Sequence, residues 1–325
     1  EWLDNADKEK PFFMYLSHKA VHSEFTLAMR HLGNYEEESV IYPPSYEGPA
    51  ISENNTESKN SNENQRLGQD HYGDGRLPDW VKEQRESWHG VDYMYHGRIN
   101  FEDFFHRYTE TLKGVDESVG LVLDYLDQNN LSEDTLVIYM GDNGFSFGEH
   151  GLIDKRHFYE ESAKVPLLVR WPSALRGGDP INSLIQNIDI APTILEAAGL
   201  KAPENMQGMS FVPLLARGEN PWRDRIFYEY YWEMDFPQTP TMFGVRTDRY
   251  KYIRYHGVWD TNEFYDLEND PNEMQNLIEA PEHQERINLF ANDIYDWLEE
   301  TGGMNIPLKK IVRPKFGDHR NQNIL

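Results

Sequence analysis

The stretch TLVIYMGDNGFSFGEHGLIDKRHFYEES (135–162) joins an apolar run to a loop rich in charged side chains. Its first six residues, TLVIYM (135–140), are mostly β-branched or large and apolar, which is the pattern of a strand buried in a parallel sheet. Ligands of open α/β sheets bind at the carboxyl ends of such strands, where loops converge. The stretch therefore predicts an α/β fold with a binding loop directly after this strand.

The flanking sequence repeats the alternation of helix and strand. Apolar residues recur at three- and four-residue steps over 108–126, which predicts an amphipathic helix before the strand. VPLLVRWP (165–172) predicts a second buried strand, and NIDIAPTILEAAGL (187–200) predicts a helix. KPFFMYLSHKAVH (10–22) indicates a further buried strand that ends in a polar loop. We expect a central, largely parallel sheet flanked by helices.

Two regions depart from this alternation. Residues 33–100 predict an insertion, because SENNTESKNSNEN (52–64) is polar and shows no hydrophobic period. After about residue 216, the run 242–256 alternates apolar and basic residues, which predicts antiparallel strands. The predicted organisation is a larger α/β portion over 1–215 that carries the insertion, and a smaller α+β subdomain with a tail over 216–325.

Composition narrows the classes of function. The formal net charge is −25, which argues against a nucleic-acid partner because phosphate backbones would be repelled. The chain contains no cysteine, so a disulfide, a thiolate metal site and a cysteine nucleophile are excluded within these residues. No run of residues is apolar for the length that a membrane span needs.

Asp142 and Asn143 are candidate metal ligands, because they follow the strand directly. A carboxylate beside an amide oxygen suits a hard cation such as calcium or magnesium. An ordinary Asp-Asn-Gly turn explains the same residues, and position alone favours neither interpretation.

Four basic residues are candidates for contact with an anion. Lys155 lies inside the charged loop, where it could neutralise an anionic group or protonate a leaving oxygen. His22 ends the first predicted strand, and Lys19 shares its loop. His150, within GEHG, could face the site or anchor the loop. Together with the metal pair, these residues suit cleavage of an anionic ester.

Four linked motifs resemble the sulfatase family. They are PFFMYLSHKAVH (11–22), the helix and strand over 107–140, GDNGFSFGEHGLIDKRHFYEESAKVPLLVRWP (141–172) and EFYDLENDPNEMQNL (263–277). They span nearly the whole chain in the family's order. The resemblance implies an alkaline-phosphatase-like fold, whose catalytic domain would take in 1–215, and hydrolysis of sulfate esters.

The same resemblance implies roles for single residues. Asp142 and Asn143 match two ligands of one calcium ion, and Lys155 matches the lysine that binds the sulfate group. His22 matches the histidine that contacts the sulfate or assists the leaving oxygen. Lys19 and His150 are the further substrate-binding residues that we predict from this arrangement.

The chain departs from the family at the nucleophile. Sulfatases carry a formylglycine made from Cys or Ser within [CS]-x-P-S-R, and no such motif occurs here. The family's remaining calcium ligands are missing too. We therefore expect these residues to be the C-terminal portion of a sulfatase, incomplete at the N-terminus and inactive alone, with the formylglycine and the other ligands in a preceding segment.

Substrate and location are expectations from the resemblance alone. It favours a sulfated carbohydrate as substrate and a periplasmic or extracellular location, while the oligomeric state stays open. One alternative is a phosphodiesterase or phosphonate monoester hydrolase of the same superfamily. Another is a non-catalytic glycan-binding relative. The aromatic run DWVKEQRESWHGVDYMYHGR (79–98) could stack on sugar rings in either case, or pack in an ordinary core.

Overall fold

The computed structural model describes residues 2–5, 7, 9–47, 77–95, 99–175, 178, 180–215, 221–257 and 260–305. The predicted excursion at 52–64 and the tail from residue 306 lie outside them. The described residues fall into two compact units. The first contains the chain up to Val40 and the segment Phe101–Tyr125, and the second contains the rest.

The first unit contains helix α1 (Trp2–Asn5), a 3-10 turn (Met29–His31) and most of helix α4 (Phe101–Gln128). Helix α4 confirms the amphipathic helix predicted over 108–126. The strand predicted within 10–22 does not form, and Phe13 and Tyr15 are 66% and 82% exposed. A strand needs a hydrogen-bonded neighbour, and no described segment pairs with this run.

The second unit begins its sheet structure with β1 (Val137–Met140) and β2 (Leu167–Arg170). Both strands were predicted, but they pair antiparallel, with Val137 opposite Arg170 and Met140 opposite Leu167. The parallel arrangement predicted for them is therefore wrong. Parallel neighbours are usually joined by a crossover helix, and the only helix between these two strands is α5 (Glu160–Ala163), a single turn.

The remaining helices of the second unit are short, apart from the last. They are α2 (Asp79–Arg85), α3 (Val91–Met94), α6 (Ile190–Ala197), α7 (Val212–Leu215) and α8 (Gln284–Thr301), with 3-10 turns at Asn187–Asp189 and Pro281–His283. Gly199 follows α6 with φ +72°, a left-handed value that closes a helix and favours glycine. The bounds of α6 confirm the helix predicted over 187–200.

A four-stranded antiparallel sheet is the larger of the two sheets described in the second unit. Its strands are β3 (Arg225–Tyr230), β4 (Thr241–Thr247), β5 (Tyr250–His256) and β6 (Glu263–Asp266), hydrogen-bonded in chain order. Side chains alternate across such a sheet, so it has two distinct faces. One face packs on α8 through Phe243, Tyr252 and Phe264. This sheet and α8 match the α+β elements predicted after residue 216.

The opposite face of the sheet packs against the loop that follows β1. Met242, Ile253 and Tyr265 form one buried cluster with Leu152 and Tyr159 of that loop. The sheet is therefore the platform on which the charged loop rests. We retain the boundary near residue 215 as a proposal about domain organisation. No helix among the described residues has the length and hydropathy of a membrane span.

Candidate active site

The charged loop brings three of the predicted site residues together. Lys155 Nζ donates a hydrogen bond to Asn143 Oδ1 at 3.1 Å. Asp142 Oδ1 accepts the backbone N–H of Asn143 at 3.0 Å, which fixes the turn directly after β1. Asn143 Nδ2 donates to the Gly144 carbonyl at 2.7 Å, so the amide's orientation leaves its oxygen towards the lysine. The start of the loop, at Asn143, and its later part, at Lys155, are thus joined through the Asn143 amide oxygen.

Helix α5 holds both ends of this arrangement. Gly144 N–H donates to the Ser162 carbonyl at 2.8 Å, and the Ser162 hydroxyl donates to the Lys155 carbonyl. A Cβ atom at position 144 would lie 1.9 Å from the Glu161 carbonyl oxygen, so only glycine allows this approach. The position of Lys155 relative to Asn143 is therefore fixed by backbone contacts.

Asp142 and Asn143 fit a hard cation in chemical kind. Asp142 is exposed and Asn143 half-buried, and carboxylate and amide oxygens are the ligand types that calcium prefers. The donor number is smaller than a complete site needs, since calcium takes about six to eight oxygens. The described part of the chain holds no group of three Asp, Glu or His side chains suited to a metal. These two residues would supply part of a ligand set.

The GEHG segment is buried beneath the loop. His150 has no exposed surface, stacks on Tyr159 with ring centroids 4.1 Å apart, and lies 3.6 Å from Glu161. Burial disfavours its charged form, but the carboxylates of Glu161, Glu273 and Glu263 together raise the pKa of His150. This position differs from the substrate contact predicted for His150, because a fully covered side chain reaches no ligand outside the loop.

Glu149 is likewise internal to the loop. Its carboxylate accepts the backbone N–H of Phe147, and burial raises its pKa from 4.5 to about 7. Ser146 N–H donates to the Asp154 carbonyl at 2.8 Å, which closes the loop on itself. The residues between the metal pair and Lys155 therefore act as internal support.

A buried ionic cluster connects the loop to the four-stranded sheet. We call it the lysine hub, and it consists of Lys251, Glu160, Glu273 and Arg246. Lys251 Nζ lies 2.8 Å from Glu160 and 2.7 Å from Glu273, and it donates to the Phe158 carbonyl at 2.7 Å. Lys251 and Glu273 have no exposed surface.

The charges of the hub are stabilised by pairing. Burial alone would raise the pKa of Glu160, but Lys251 and Arg246 lower it to about 2. Burial raises the pKa of Glu273 to about 7 despite the neighbouring Lys251. Glu273 also accepts the Glu160 backbone N–H at 2.6 Å, so it fixes the start of α5.

Another buried glutamate, Glu263, also connects the loop to the four-stranded sheet. Glu263 accepts hydrogen bonds from three tyrosine hydroxyls, those of Tyr159, Tyr255 and Tyr265. Sequence reasoning did not identify this residue or the hub. The signal available was a lysine and a glutamate at strand positions whose neighbours are apolar, in RYKYIRYH (249–256) and EFYD (263–266).

His22 and Lys19 belong to the first unit. Both are exposed, and His22 Nδ1 lies 2.7 Å from the Ser23 carbonyl. The neighbouring His18 pairs with Ser118 on α4 at 2.8 Å. Their predicted contacts with substrate stay predictions.

Family comparisons agree with the sequence motifs. The profile described as Sulfatase matches residues 1–200, and the profile described as N-sulphoglucosamine sulphohydrolase, C-terminal, matches residues 148–300. The second match takes in the GEHG segment, the lysine hub and all but the last residue of α8. The two profiles together span the loop and the sheet on which it rests.

Relatives with assigned names cover most of this chain. It is 31% identical to an N-acetylglucosamine-6-O-sulfatase of Bacteroides thetaiotaomicron, over 92% of this chain and 59% of the relative. It is 32% identical to the N-acetylglucosamine-6-sulfatase of Bos taurus, over 71% of this chain and 36% of that protein. The chain thus spans between about a third and three fifths of these relatives.

A solved structure gives the same result for the fold. It is a protein in complex with its substrate D-glucosamine-2-N,6-O-disulfate, with a TM-score of 0.74 and 28% identity. The match covers 95% of this chain and 69% of the solved chain. This confirms the predicted alkaline-phosphatase-like α/β fold. The family predicted from four motifs is likewise confirmed, and the chain belongs to the sulfatase family.

Proposed function

We propose that the protein is a sulfuric ester hydrolase that removes the 6-O-sulfate of an N-substituted glucosamine. The observation that carries this proposal is the contact of Lys155 with Asn143, beside the exposed carboxylate of Asp142. This arrangement puts a cation and hard oxygen donors on one fixed loop. The names of two relatives, both glucosamine-6-sulfatases, supply the substrate class.

Lys155 is the residue that we propose to bind the scissile sulfate. Its ammonium is half-buried and has three donors, one of which is used by Asn143. A donor fixed in advance stabilises the negative charge that develops on the sulfate and leaving-group oxygens. The reaction is R–O–SO₃⁻ + H₂O → R–OH + HSO₄⁻, in which the S–O bond to the sugar breaks and water supplies the new oxygen.

The family implies a metal ion and a formylglycine in addition to these side chains. Asp142 and Asn143 would hold calcium as two of its ligands, and bound calcium would act as a Lewis acid on the sulfate oxygens. The formylglycine would supply the nucleophile, and no residue of this chain provides its precursor motif. The residues of this chain contribute charge, orientation and part of the metal site.

His22 is the residue that we propose to assist the leaving oxygen. It is exposed, and histidine is the side chain that most often serves as a general acid or base in catalysis. Lys19, three residues earlier, is proposed to attract the anionic substrate. We further propose a periplasmic or extracellular location, where sulfated polysaccharides are encountered.

The test uses the full-length protein and N-acetylglucosamine-6-sulfate. Release of inorganic sulfate, measured by ion chromatography with calcium present, is the expected result. A phosphonate monoester and a phosphodiester tested in parallel address the alternative reaction class. Hydrolysis of either one in preference to the sulfate ester would contradict the proposal. Binding of the sulfated sugar without any sulfate release would support the glycan-binding alternative instead.

A further inference from the structure

A cluster of aromatic side chains surrounds Arg156, the residue next to the proposed sulfate-binding lysine. We call it the aromatic–arginine platform, and it consists of Trp88, His89, Arg156 and Phe236. The Arg156 guanidinium carbon lies 3.3 Å from the Phe236 ring centroid. Phe236 in turn lies 4.9 Å from His89 and 6.1 Å from Trp88, measured between ring centroids. All four residues belong to the second unit.

The platform is anchored to the loop that carries Lys155. Arg156 Nη1 donates to Asp154 Oδ1 at 2.6 Å, and Asp154 is buried. His89 Nδ1 lies 3.3 Å from the Ile153 carbonyl, so the segment 88–89 packs on the same loop. Arg156 is thereby oriented by its neighbours on both sides, which reduces the entropy lost when it binds an anion.

Part of the platform faces solvent. Trp88 is 39% exposed, and Trp232, on the same β3–β4 loop as Phe236, is 49% exposed. Arg156 keeps a fifth of its side chain exposed, and its Nε and Nη2 groups donate to no atom of the described residues. The surface thus combines open aromatic area with unused guanidinium donors.

Charge decides which ligand fits this surface. The formal net charge of −25 repels anions in general, so an anionic ligand needs a local concentration of positive charge. Lys155 and Arg156 are consecutive, and their Cα atoms are therefore only about 3.8 Å apart. If Lys155 binds the scissile sulfate, Arg156 is available for a second anionic group on the same sugar.

We propose that the aromatic–arginine platform is a specificity subsite for a sugar ring that carries a second anionic substituent. Trp88 provides an apolar face for the ring, and Arg156 donates hydrogen bonds to the second anion. Guanidinium groups bind such oxyanions in a planar, two-point manner. This inference rests on the proposed function, since it places the ring beside the lysine of that site.

Binding of glucosamine-2-N-sulfate tests the subsite apart from the chemistry. This sugar lacks the 6-O-sulfate that the protein is proposed to cleave, so its affinity does not depend on turnover. Isothermal titration calorimetry on the full-length protein compares it with N-acetylglucosamine. We expect the N-sulfated sugar to bind about tenfold tighter, the effect of one charge-assisted interaction.

Three variants locate the effect. Arg156→Ala should remove the tenfold preference, and Trp88→Ala should weaken binding of both sugars about two- to tenfold. Trp88→Ala also covers the case in which Arg156→Ala, by removing the guanidinium that pairs with buried Asp154, fails to fold. Trp2→Ala removes another exposed tryptophan, 56% exposed in the first unit, and should change neither affinity.

An equal affinity of the unmodified protein for both sugars would overturn the subsite. So would a preference that survives Arg156→Ala, or an affinity for both sugars that Trp88→Ala leaves unchanged. Failure of the proposed function has a different signature, namely no sulfate release from N-acetylglucosamine-6-sulfate while the N-sulfated sugar still binds through Arg156.

Discussion

The lysine hub and the Lys155–Asn143 contact use positive charge in opposite ways. Lys251 is completely covered, donates to one carbonyl and lies 2.8 and 2.7 Å from two carboxylates. Lys155 is half-buried and makes one side-chain hydrogen bond. A saturated charge contributes rigidity and can bind nothing more, whereas a partly satisfied charge is able to accept a ligand. The supporting lysine and the lysine of the proposed site thus lie on different elements, Lys251 on β5 and Lys155 in the charged loop.

The largest effect is expected when the hub loses its cation. Lys251→Met leaves Glu160 and Glu273 buried without their shared partner, and we expect a loss of about 3–5 kcal/mol in the free energy of unfolding. Urea unfolding followed by circular dichroism measures it. Lys82→Met is the control, because Lys82 forms a surface pair with Asp79 at 2.8 Å and should cost about 0–1 kcal/mol. Equal losses in both variants would contradict a special role for the hub.

Substitution of Lys155 should have the opposite pattern of effects, with a large loss of activity and a small change in stability. Lys155→Ala should lower kcat/KM for sulfate release about 10²–10³-fold, since it removes one preorganised donor to developing charge. Its free energy of unfolding should change little. Lys164→Ala, an exposed lysine just after α5, serves as the matched control. A stability loss without an activity loss would reverse the comparison between the two regions.

Substitution of Asp142, one of the proposed metal ligands, should also affect activity and leave stability almost unchanged. Asp142→Ala should raise the calcium concentration for half-maximal sulfate release about tenfold or more. The side chain is exposed, so the unfolding free energy should stay within about 0.5 kcal/mol. Asp134→Ala, an exposed aspartate before β1, is the control. An unchanged calcium requirement in Asp142→Ala would remove this residue from the ligand set.

A further prediction concerns the pH dependence of the hub. Burial raises the pKa of Glu273 from 4.5 to about 7, so the folded protein holds this proton to a higher pH than the unfolded chain. The stability that this proton contributes is present below pH 4.5 and is lost as the pH rises through 7. Glu273→Gln cannot lose it, and its stability relative to the unmodified protein should rise over that interval.

Urea unfolding of both proteins at several pH values measures this difference. Glu282→Gln, which removes one exposed negative charge, controls for the change in net charge. A constant difference between Glu273→Gln and the unmodified protein across the interval would show that this carboxyl does not titrate there.

The sequence was sufficient for the family and for most of the elements, although the strand predicted within 10–22 does not form. The helix around Val115 and the strand at 137–140 follow from local periodicity, and Asp142 follows the strand in the sequence itself. The pairing of β1 with β2 was predicted wrongly. Buried strands of either kind show the same apolar run, and only the chain between them decides the direction.

The sequence by itself determined which residue types the loop contains, because Asp142, Asn143 and Lys155 all belong to the one segment that follows β1. Only the tertiary structure decided that His150 is internal, that Lys251 supports α5, and that Arg156 meets Phe236. These contacts join residues that are distant in sequence. The sequence around a charged residue does not show whether its side chain will be buried or exposed. The folded sheet, which gives each of them its partners, distinguishes a supporting charge from one that is available for a ligand.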